Sequence, residues 1–382
     1  MDAAFATPTR RSLLDHFAAI GDTRQPCKVM YPLPEVLLLV VCATVAGCDD
    51  YDEIADWGEA RLEFLRRFLP YYWGVPCEDW LRVVMNRIDP ELFAACFTAW
   101  ASEQRPEAGV ALVAIDGKTS RRSHDRGKGR KALHLVSAWA CHERLVLGQQ
   151  AVDEKSNETT AIPALLDRLA VAGALITIDA IACNPKIART IVEAGADYLL
   201  AVKENQPSLL GEMQSYFEGA PAAEVETLTL HDKGHGRIET RHHVVSQAVD
   251  WMSGQRRYPG EPRFAGLTTI GMVESTVEKT GETSTERRFY ISSAALDAAR
   301  FAEAVRTHWT IENQLHWVLD VQFNEDQSRL RTGHGAQNMA IVRHFALNLL
   351  RRPNDRRSLK TRRKRAGWDT GYLREILSSA PR

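Results

Sequence analysis

Apolar positions change their period twice along this 382-residue chain. Up to about residue 105 they recur at helical spacing. Pro34 opens a stretch, Glu35–Gly47, that is apolar on every side and stops at a glycine, which predicts a buried helix with a left-handed C-terminal cap. Residues 52–69 place Ile54, Trp57, Leu62, Phe64, Leu65 and Phe68 on one stripe, with acids early and arginines late, and predict one amphipathic helix aligned with its own macrodipole. Asp89–Ala101 has an Asp N-cap, Pro in the first turn and apolar residues at helical intervals. Arg105, Pro106 and Gly109 mark a linker.

From Val110 the period shortens to that of strands. Residues 110–116 (VALVAID) form a β-branched run, and Leu133–Ala140 and Leu145–Val152 read as two strands joined across Cys141–Arg144. A helix over Thr159–Ala172, a fourth strand over Ala174–Ile178, a helix over Pro185–Ala194 and a fifth strand over Tyr198–Val202 follow. Three antiparallel strands and then alternating helix and strand predict a mixed α/β sheet flanked by helices. Val225–Ser293 breaks the alternation with short β-like runs and reads as a β-rich insertion; helix returns over Ala298–Phe323 and Gln337–Leu350.

Composition excludes several classes. With 48 Lys+Arg, 49 Asp+Glu and 45% hydrophobic residues this is an ordinary globular composition. The longest apolar run, Val36–Ala46, is far short of the roughly 20 residues that span a bilayer, and the first residues lack a secretory pattern, so a cytoplasmic protein without a membrane segment is expected. The 7 cysteines are scattered and form no C-x-x-C pair, which supports neither a zinc site nor a disulfide framework. The near-zero net charge hides polarity. Residues 1–100 carry 9 basic and 15 acidic side chains, whereas Arg351–Arg365 carries 9 basic and one acidic. That basic tail suits either phosphate neutralisation on a nucleic acid or a solvated terminus.

Asp116 ends the first predicted strand, just before a glycine expected to turn the chain, and Asp179 ends the fourth in the same context. If those strands are neighbours, both carboxylates enter one crevice at a sheet edge. An Asp in such a place is also a common turn or N-cap residue. A third acid, Glu312, lies four residues before His316 on a helix that also carries Trp309, Asn313 and Trp317. Three oxygen ligands from two strand ends and a helix suit Mg²⁺ or Mn²⁺, and two such ions roughly 3.5–4 Å apart support phosphoryl transfer. Lys118, Lys203, Asn205 and Gln206 are candidate backbone-phosphate contacts or plain turn residues. His231, His235, His242 and His243 lack accompanying cysteines, and their segment reads as a DNA-facing loop with Arg237 and Arg241 as phosphate contacts. DGKT lacks the upstream glycine of a P-loop, so no nucleotide cofactor is expected.

The segments DGKTSRRS, KALHLVSAW, ITIDAIACNPKIA, DYLLAVKENQ, HGRIETR and HWTIENQLHWVLDVQFNEDQSRLR, in this order, resemble DDE transposases of the ISAs-type insertion-sequence (H-repeat-associated) family. The resemblance covers nearly the whole chain. It implies an RNase H-like core preceded by a helical N-terminal domain (1–105), with the first part of the core at 110–215, the insertion at 216–295, the Glu-bearing helices at 296–350 and the basic tail at 351–382. It further implies that Asp116, Asp179 and Glu312 are the catalytic, metal-binding triad for two Mg²⁺ or Mn²⁺ ions. His308, Trp309, Asn313, His316 and Trp317 would then shape the active-site helix or grip DNA, and Arg329 and Arg331 would contact DNA. The implied partners are double-stranded DNA, namely terminal inverted repeats and target, and a second copy of the chain in a synaptic dimer on the nucleoid. The chain departs from the family at Ala182 and Asn184, at Cys77, Trp80 and Leu81, and at His308 and Leu319 around the Glu. Two alternatives therefore stand beside an active transposase: a silent DNA-binding descendant and an RNase H-like nuclease without strand transfer.

Overall fold

The computed structural model describes residues 11–378 except 106–110, 126, 128, 153–156, 235–236, 254–262 and 280–281, so most of the expected linker lies outside the described residues. The first hundred residues form α1 (Leu13–Ala18), α2 (Leu33–Ala46), α3 (Tyr51–Ala60), α4 (Leu62–Leu65), α5 (Glu78–Met85) and α6 (Pro90–Ser102). The apolar helix α2 is buried almost throughout and ends where Gly47 takes φ 115°, a conformation open to glycine. Asp89 caps α6 by accepting from the Glu91 and Leu92 N–H groups. The single helix expected over 52–69 is instead broken at Arg61 (φ −121°, ψ 19°), and the second piece turns Phe64 and Leu65 into the core. The short helices α1 and α5 were not expected from the sequence, although α5 buries Leu81, Val84 and Met85 at helical spacing.

The sheet contains β1 (Leu112–Ser120), β2 (Leu133–Ala140), β3 (Leu145–Ala151), β4 (Leu175–Ile178), β5 (Asp197–Val202), β6 (Glu226–Gly234), β7 (Arg237–Ser246), β8 (Thr269–Lys279) and β9 (Glu282–Ser292). Between its strands run α7 (Glu158–Leu166), α8 (Pro185–Glu193), α9 (Pro207–Gly219) and the short α10 (Asp250–Ser253). The order is β3-β2-β1-β4-β5-β9-β8-β7-β6. β1 pairs antiparallel with β2 and parallel with β4, and β4 pairs parallel with β5, the mixed arrangement expected from the sequence. The short β-like runs expected in the insertion are longer strands. The insertion's four long strands continue the same sheet, because β9 pairs with the free edge of β5 through Leu199–Val202 and Phe289–Ser292. The ends of β8 and β9 near the sheet centre are buried, while their far ends stand in solvent.

Alternation along the strands feeds two cores. Val113, Ile115, Ile176 and Ile178 face α7 and α8 on one side. Ala114, Trp139 and Tyr290 join the N-terminal helices and the last helices on the other. Those last helices are α11 (Ala298–His308), α12 (Trp317–Gln322), α13 (Gly335–Arg351), α14 (Leu359–Trp368) and α15 (Thr370–Ser378). α13 is buried along nearly its whole length, and the Phe345 ring meets Phe17, Phe93, Phe97 and Trp100. The N-terminal helices and the α11–α13 region thus share one apolar interior.

The basic stretch at the C-terminus is not a solvated tail. Arg362 and Arg363 are buried in α14. Arg362 donates to the carbonyls of Leu350, Pro353, Asp355 and Arg357, and Arg363 to those of Thr44, Cys48 and Gln322 and to the Asp49 carboxylate. Leu350, Thr44 and Gln322 lie in the last turns of α13, α2 and α12, where helix geometry leaves carbonyls unpaired. Two guanidinium groups therefore close three helix ends. Among the described residues no helix is long and apolar enough to cross a membrane.

Asn348 of α13 binds β3 like a missing strand. Its side-chain NH₂ donates to the Val146 carbonyl at 2.9 Å and its oxygen accepts the Val146 N–H at 3.0 Å, both in the interior. Asn348→Leu removes both bonds and leaves two buried backbone groups unpaired. We expect a loss of about 2–4 kcal/mol in urea unfolding; a change under about 0.5 kcal/mol would show that β3 does not depend on this amide.

Candidate active site

β1 and β4 run side by side in parallel through Leu112–Ile115 and Leu175–Ile178, with Ile115 opposite Ile178. Asp116 and Asp179 are the next residues on each strand, so the pairing sets them at the same level on neighbouring strands. Asp179 does end its strand. Its Oδ1 accepts the Ala180 N–H at 2.6 Å and starts a tight turn over Ala180–Ala182. Asp116 does not end its strand, a correction to the expected turn at Gly117. β1 continues to Ser120, still paired with β2, and Asp116 sits opposite Ser137. The glycine serves a close approach: a Cβ at 117 would meet Glu158 Oε1 at 2.1 Å and His134 Nε2 at 2.7 Å.

Glu312 arrives from the other side of the cleft. The continuous helix expected over Ala298–Phe323 is interrupted between α11 and α12 by a π-helical turn, Ile311–His316, a feature common at functional sites. Three contacts brace it. Arg351 donates to the Gln314 carbonyl and lies 4.5 Å over the Trp139 ring, and Trp139 Nε1 donates to Thr310 Oγ1 at 3.1 Å. Arg351, read from the sequence as part of a basic tail, is a brace for the helix that carries Glu312.

The three acids line one cleft of about 400 Å³, together with Thr177, Lys203, Arg288, Tyr290, His308 and Trp309. The ligand atoms of Asp116, Glu312 and the buried His316 lie within 4.8 Å of one another. His316 Nδ1 is 3.5 Å from Asp116 Oδ2 and 3.6 Å from Glu312 Oε2. Asp179 stands outside this tight group, with Lys203 Nζ at 3.5 Å. Burial drives the Asp116 carboxyl well above its ordinary range; the facing imidazole opposes this and Glu312 reinforces it. Pairing with His316 keeps the Glu312 carboxyl low. His308 is buried, which lowers its pKa, and it bonds Thr177 Oγ1 at 2.9 Å through Nδ1. Hard oxygen donors converge around a carboxyl whose charge burial penalises, with one nitrogen donor beside them. The donor set fits a divalent cation.

Other candidates fall in different places. Lys118 is not available to a phosphate. Its ammonium is 2.7 Å from Asp320, 3.0 Å from Glu325 and 3.6 Å from Asp326, and its side chain is 10% exposed. Asn205 and Gln206 donate to the Ala180 and Cys183 carbonyls and so shape the turn after Asp179. Trp309 is partly exposed under the Arg288 guanidinium, and Trp317 is exposed. Asn313 turns back to the Trp309 carbonyl. Arg329 is exposed, and Arg331 donates to the Arg122 carbonyl. Arg237 and Arg241 lie on β7 rather than in a loop, and Arg241 is engaged by Asp232 and Glu239. His231 and His242 bond cross-strand threonines and His243 is buried, so they do not converge; His235 lies outside the described residues. The sequence reading missed Glu325, Arg343 and His344, which lie behind the site with Lys118. The acids of NEDQ beside an unexplained lysine were the available signal.

The profile of a family described as "Transposase DDE domain" matches residues 107–349, and one described as DDE_Tnp_1-associated matches residues 14–101. The chain is 40% identical to a candidate transposase, YncI of Escherichia coli O157:H7, over 97% of this chain and 95% of that protein. It is 36% identical to the H repeat-associated candidate transposase YhhI of Escherichia coli K12, over 97% of this chain and 98% of that one. A solved structure of piggyBac transposase in a synaptic complex with hairpin DNA aligns with a TM-score of 0.45 at 11% identity, over 95% of this chain and 78% of that one.

Lys118→Met removes the cation shared by Asp320, Glu325 and Asp326 and leaves the buried Glu325 with Arg343 alone. We expect a loss of about 3–5 kcal/mol in denaturant unfolding, whereas a free phosphate contact would leave stability within about 0.5 kcal/mol. Acid sensitivity follows from His344, whose burial lowers its pKa to about 4. Between pH 6.5 and 4 the unfolded chain binds a proton there and the folded chain does not. Stability is full above that window and falls with pH inside it, by up to about 1.4 kcal/mol per pH unit from this group. Urea midpoints for the native chain and His344→Leu should converge as pH falls through the window; parallel curves would remove His344 as the sensor.

Proposed function

The chain belongs to the DDE transposases, and on that basis we propose that it cuts DNA at the ends of its element and joins the freed ends to target DNA, using divalent ions held by Asp116, Asp179 and Glu312. The observation that carries this is the register of β1 and β4, which levels two aspartates on one side of a cleft whose other side carries Glu312 on a braced π turn. Divalent cations in such a site activate a water and stabilise the attacking and leaving oxygens of a phosphodiester.

The chain's own residues would do the rest. Lys203, 3.5 Å from Asp179, and Arg288, held by Glu286, line the cleft as the cations that would meet backbone phosphate, and the partly exposed Trp309 ring beside Arg288 would stack on an unpaired base. A second groove, bounded by β7, β8, β9 and α11, shares Arg288, Tyr290 and Trp309 with the cleft and adds Arg306, so a strand leaving the site has a lined path. His308 fixes the Thr177 hydroxyl behind Asp179. Water attack frees a 3′-hydroxyl at the element end, and that hydroxyl attacks the target; the carboxylates form no covalent intermediate. Residues 1–105 would help hold the terminal repeats or a second copy, since joining two ends calls for a dimer. Exposed Arg356, Lys360 and Lys364 are the part of the basic stretch left free to neutralise phosphate. The protein would act in the cytoplasm, on DNA of the nucleoid.

The test uses duplexes carrying the inverted repeats that flank the coding sequence. Asp116→Asn, Asp179→Asn and Glu312→Gln should each cut cleavage by at least 10³-fold, on the scale of losing a principal catalytic group, while mobility shifts keep their affinity. Cleavage surviving in all three variants would end the triad assignment. Cleavage without joined products would make the protein a nuclease, and binding without cleavage in the native chain a silent descendant.

A further inference from the structure

His316 was expected to shape the helix or grip DNA. Its surroundings do not suit a DNA contact. The side chain is 7% exposed, so DNA cannot reach it without rearrangement. A buried histidine normally earns its position through hydrogen bonds from both ring nitrogens. Here Nε2 has no hydrogen-bond partner among the described residues, and Nδ1 faces Asp116 and Glu312 at 3.5 and 3.6 Å, beyond good hydrogen-bond length. Adjacent ligands on an octahedral ion at about 2.1 Å stand about 3 Å apart. A contraction of roughly half an ångström would bring His316 Nδ1 to that spacing from both carboxylates, whose own ligand atoms lie within 4.8 Å of each other. Asp179 lies outside that group, beside Lys203.

We propose that His316 is a nitrogen ligand to the cation held by Asp116 and Glu312, which makes the two metal positions unequal: a mixed nitrogen–oxygen site there, and an all-oxygen site between Asp116 and Asp179. This rests on the metal-dependent reading above and deepens it. Imidazole is a softer donor than carboxylate or water, so the mixed site favours Mn²⁺ over Mg²⁺, and it fills first because Lys203 already offers Asp179 a positive charge. The spacing supports the same role, since residues four apart on a helical turn face the same way and His316 Nδ1 lies 3.6 Å from Glu312 Oε2.

The experiment is electron spin-echo spectroscopy of Mn²⁺ added to the full chain without DNA, with Mn²⁺ affinity followed by loss of the free-ion signal. We expect one tightly bound ion with ¹⁴N coupling from a directly bound imidazole. In His316→Gln the coupling disappears and the affinity falls at least tenfold, while His308→Gln, a buried histidine lining the same cleft, retains both. Oxygen-only coordination in the native protein overturns the histidine assignment and leaves the carboxylate site intact, a result that does not depend on any variant folding. Coupling lost in His308→Gln instead overturns it as well. Native protein that binds Mn²⁺ no better than Asp116→Asn overturns the metal-dependent reading itself.

Discussion

A largely buried carboxylate, Asp116, faces a cleft that Glu312 and Asp179, both half exposed, also line, and much of the surrounding structure holds that arrangement in place. Burial penalises the charged form of Asp116, and the like charge of Glu312 beside it adds to that cost. The chain meets this cost by fixing each acid to a different rigid element. Asp116 and Asp179 ride on neighbouring strands locked by parallel pairing, and Glu312 rides on a turn that Arg351, Trp139 and Thr310 hold in place. Behind Asp116, the same strand continues to Lys118, whose ammonium gathers Asp320, Glu325 and Asp326. Burial would raise the Glu325 carboxyl, but Lys118 and Arg343 outweigh it and keep it low. This buried ionic group ties β1 to the end of α12, so the two sides of the cleft cannot easily move apart.

The same arrangement explains why so many basic residues have structural partners. A charge on a flexible stem binds phosphate or an internal carbonyl with equal ease, and only the fold decides which is near. Arg362 and Arg363 are close to helix ends whose last carbonyls need donors, and they are spent there. Arg351 serves the π turn. Each of these guanidiniums is planar and carries several donors in a fixed fork, which suits it to bridging carbonyls from different elements as lysine could not.

Period and local chemistry made much of the fold legible. The strand sequence, the β1–β4 neighbourhood, the apolar α2 and the three acids could all be read, because burial writes a period into the residues and a charge at the end of an apolar run stands out. What could not be read depends on contacts made across the chain. Gly117 looks like a turn residue until Glu158 and His134 are placed against it. The π turn has no period of its own, since the residues flanking it are ordinary helix formers. Lys118 reads as exposed because its three acidic partners lie some 200 positions away in sequence. His316 reads as a core or DNA-facing residue, since nothing local says that Asp116 will stand opposite.

The insertion shows how distant segments are brought to bear on the site. Because β9 pairs with β5 with Phe289 opposite Val202, the next residues outward are Arg288 and Lys203. The antiparallel register thus carries two cations to the same level at the sheet edge, beside Asp179, although one comes from the insertion and the other from the five-strand core. An independently folded insertion joined by a linker would leave that spacing to chance. Pairing it into the sheet makes the distance between the cationic edge and the acidic cleft a property of the strand register. A slip of one residue would turn the Arg288 side chain to the opposite face of the sheet. The wider groove beyond Arg288 inherits the same constraint, since β7 and β8 are fixed to β9 in turn. A nucleic acid strand lying along it would therefore meet the acids at a distance set by backbone hydrogen bonds and not by flexible side chains.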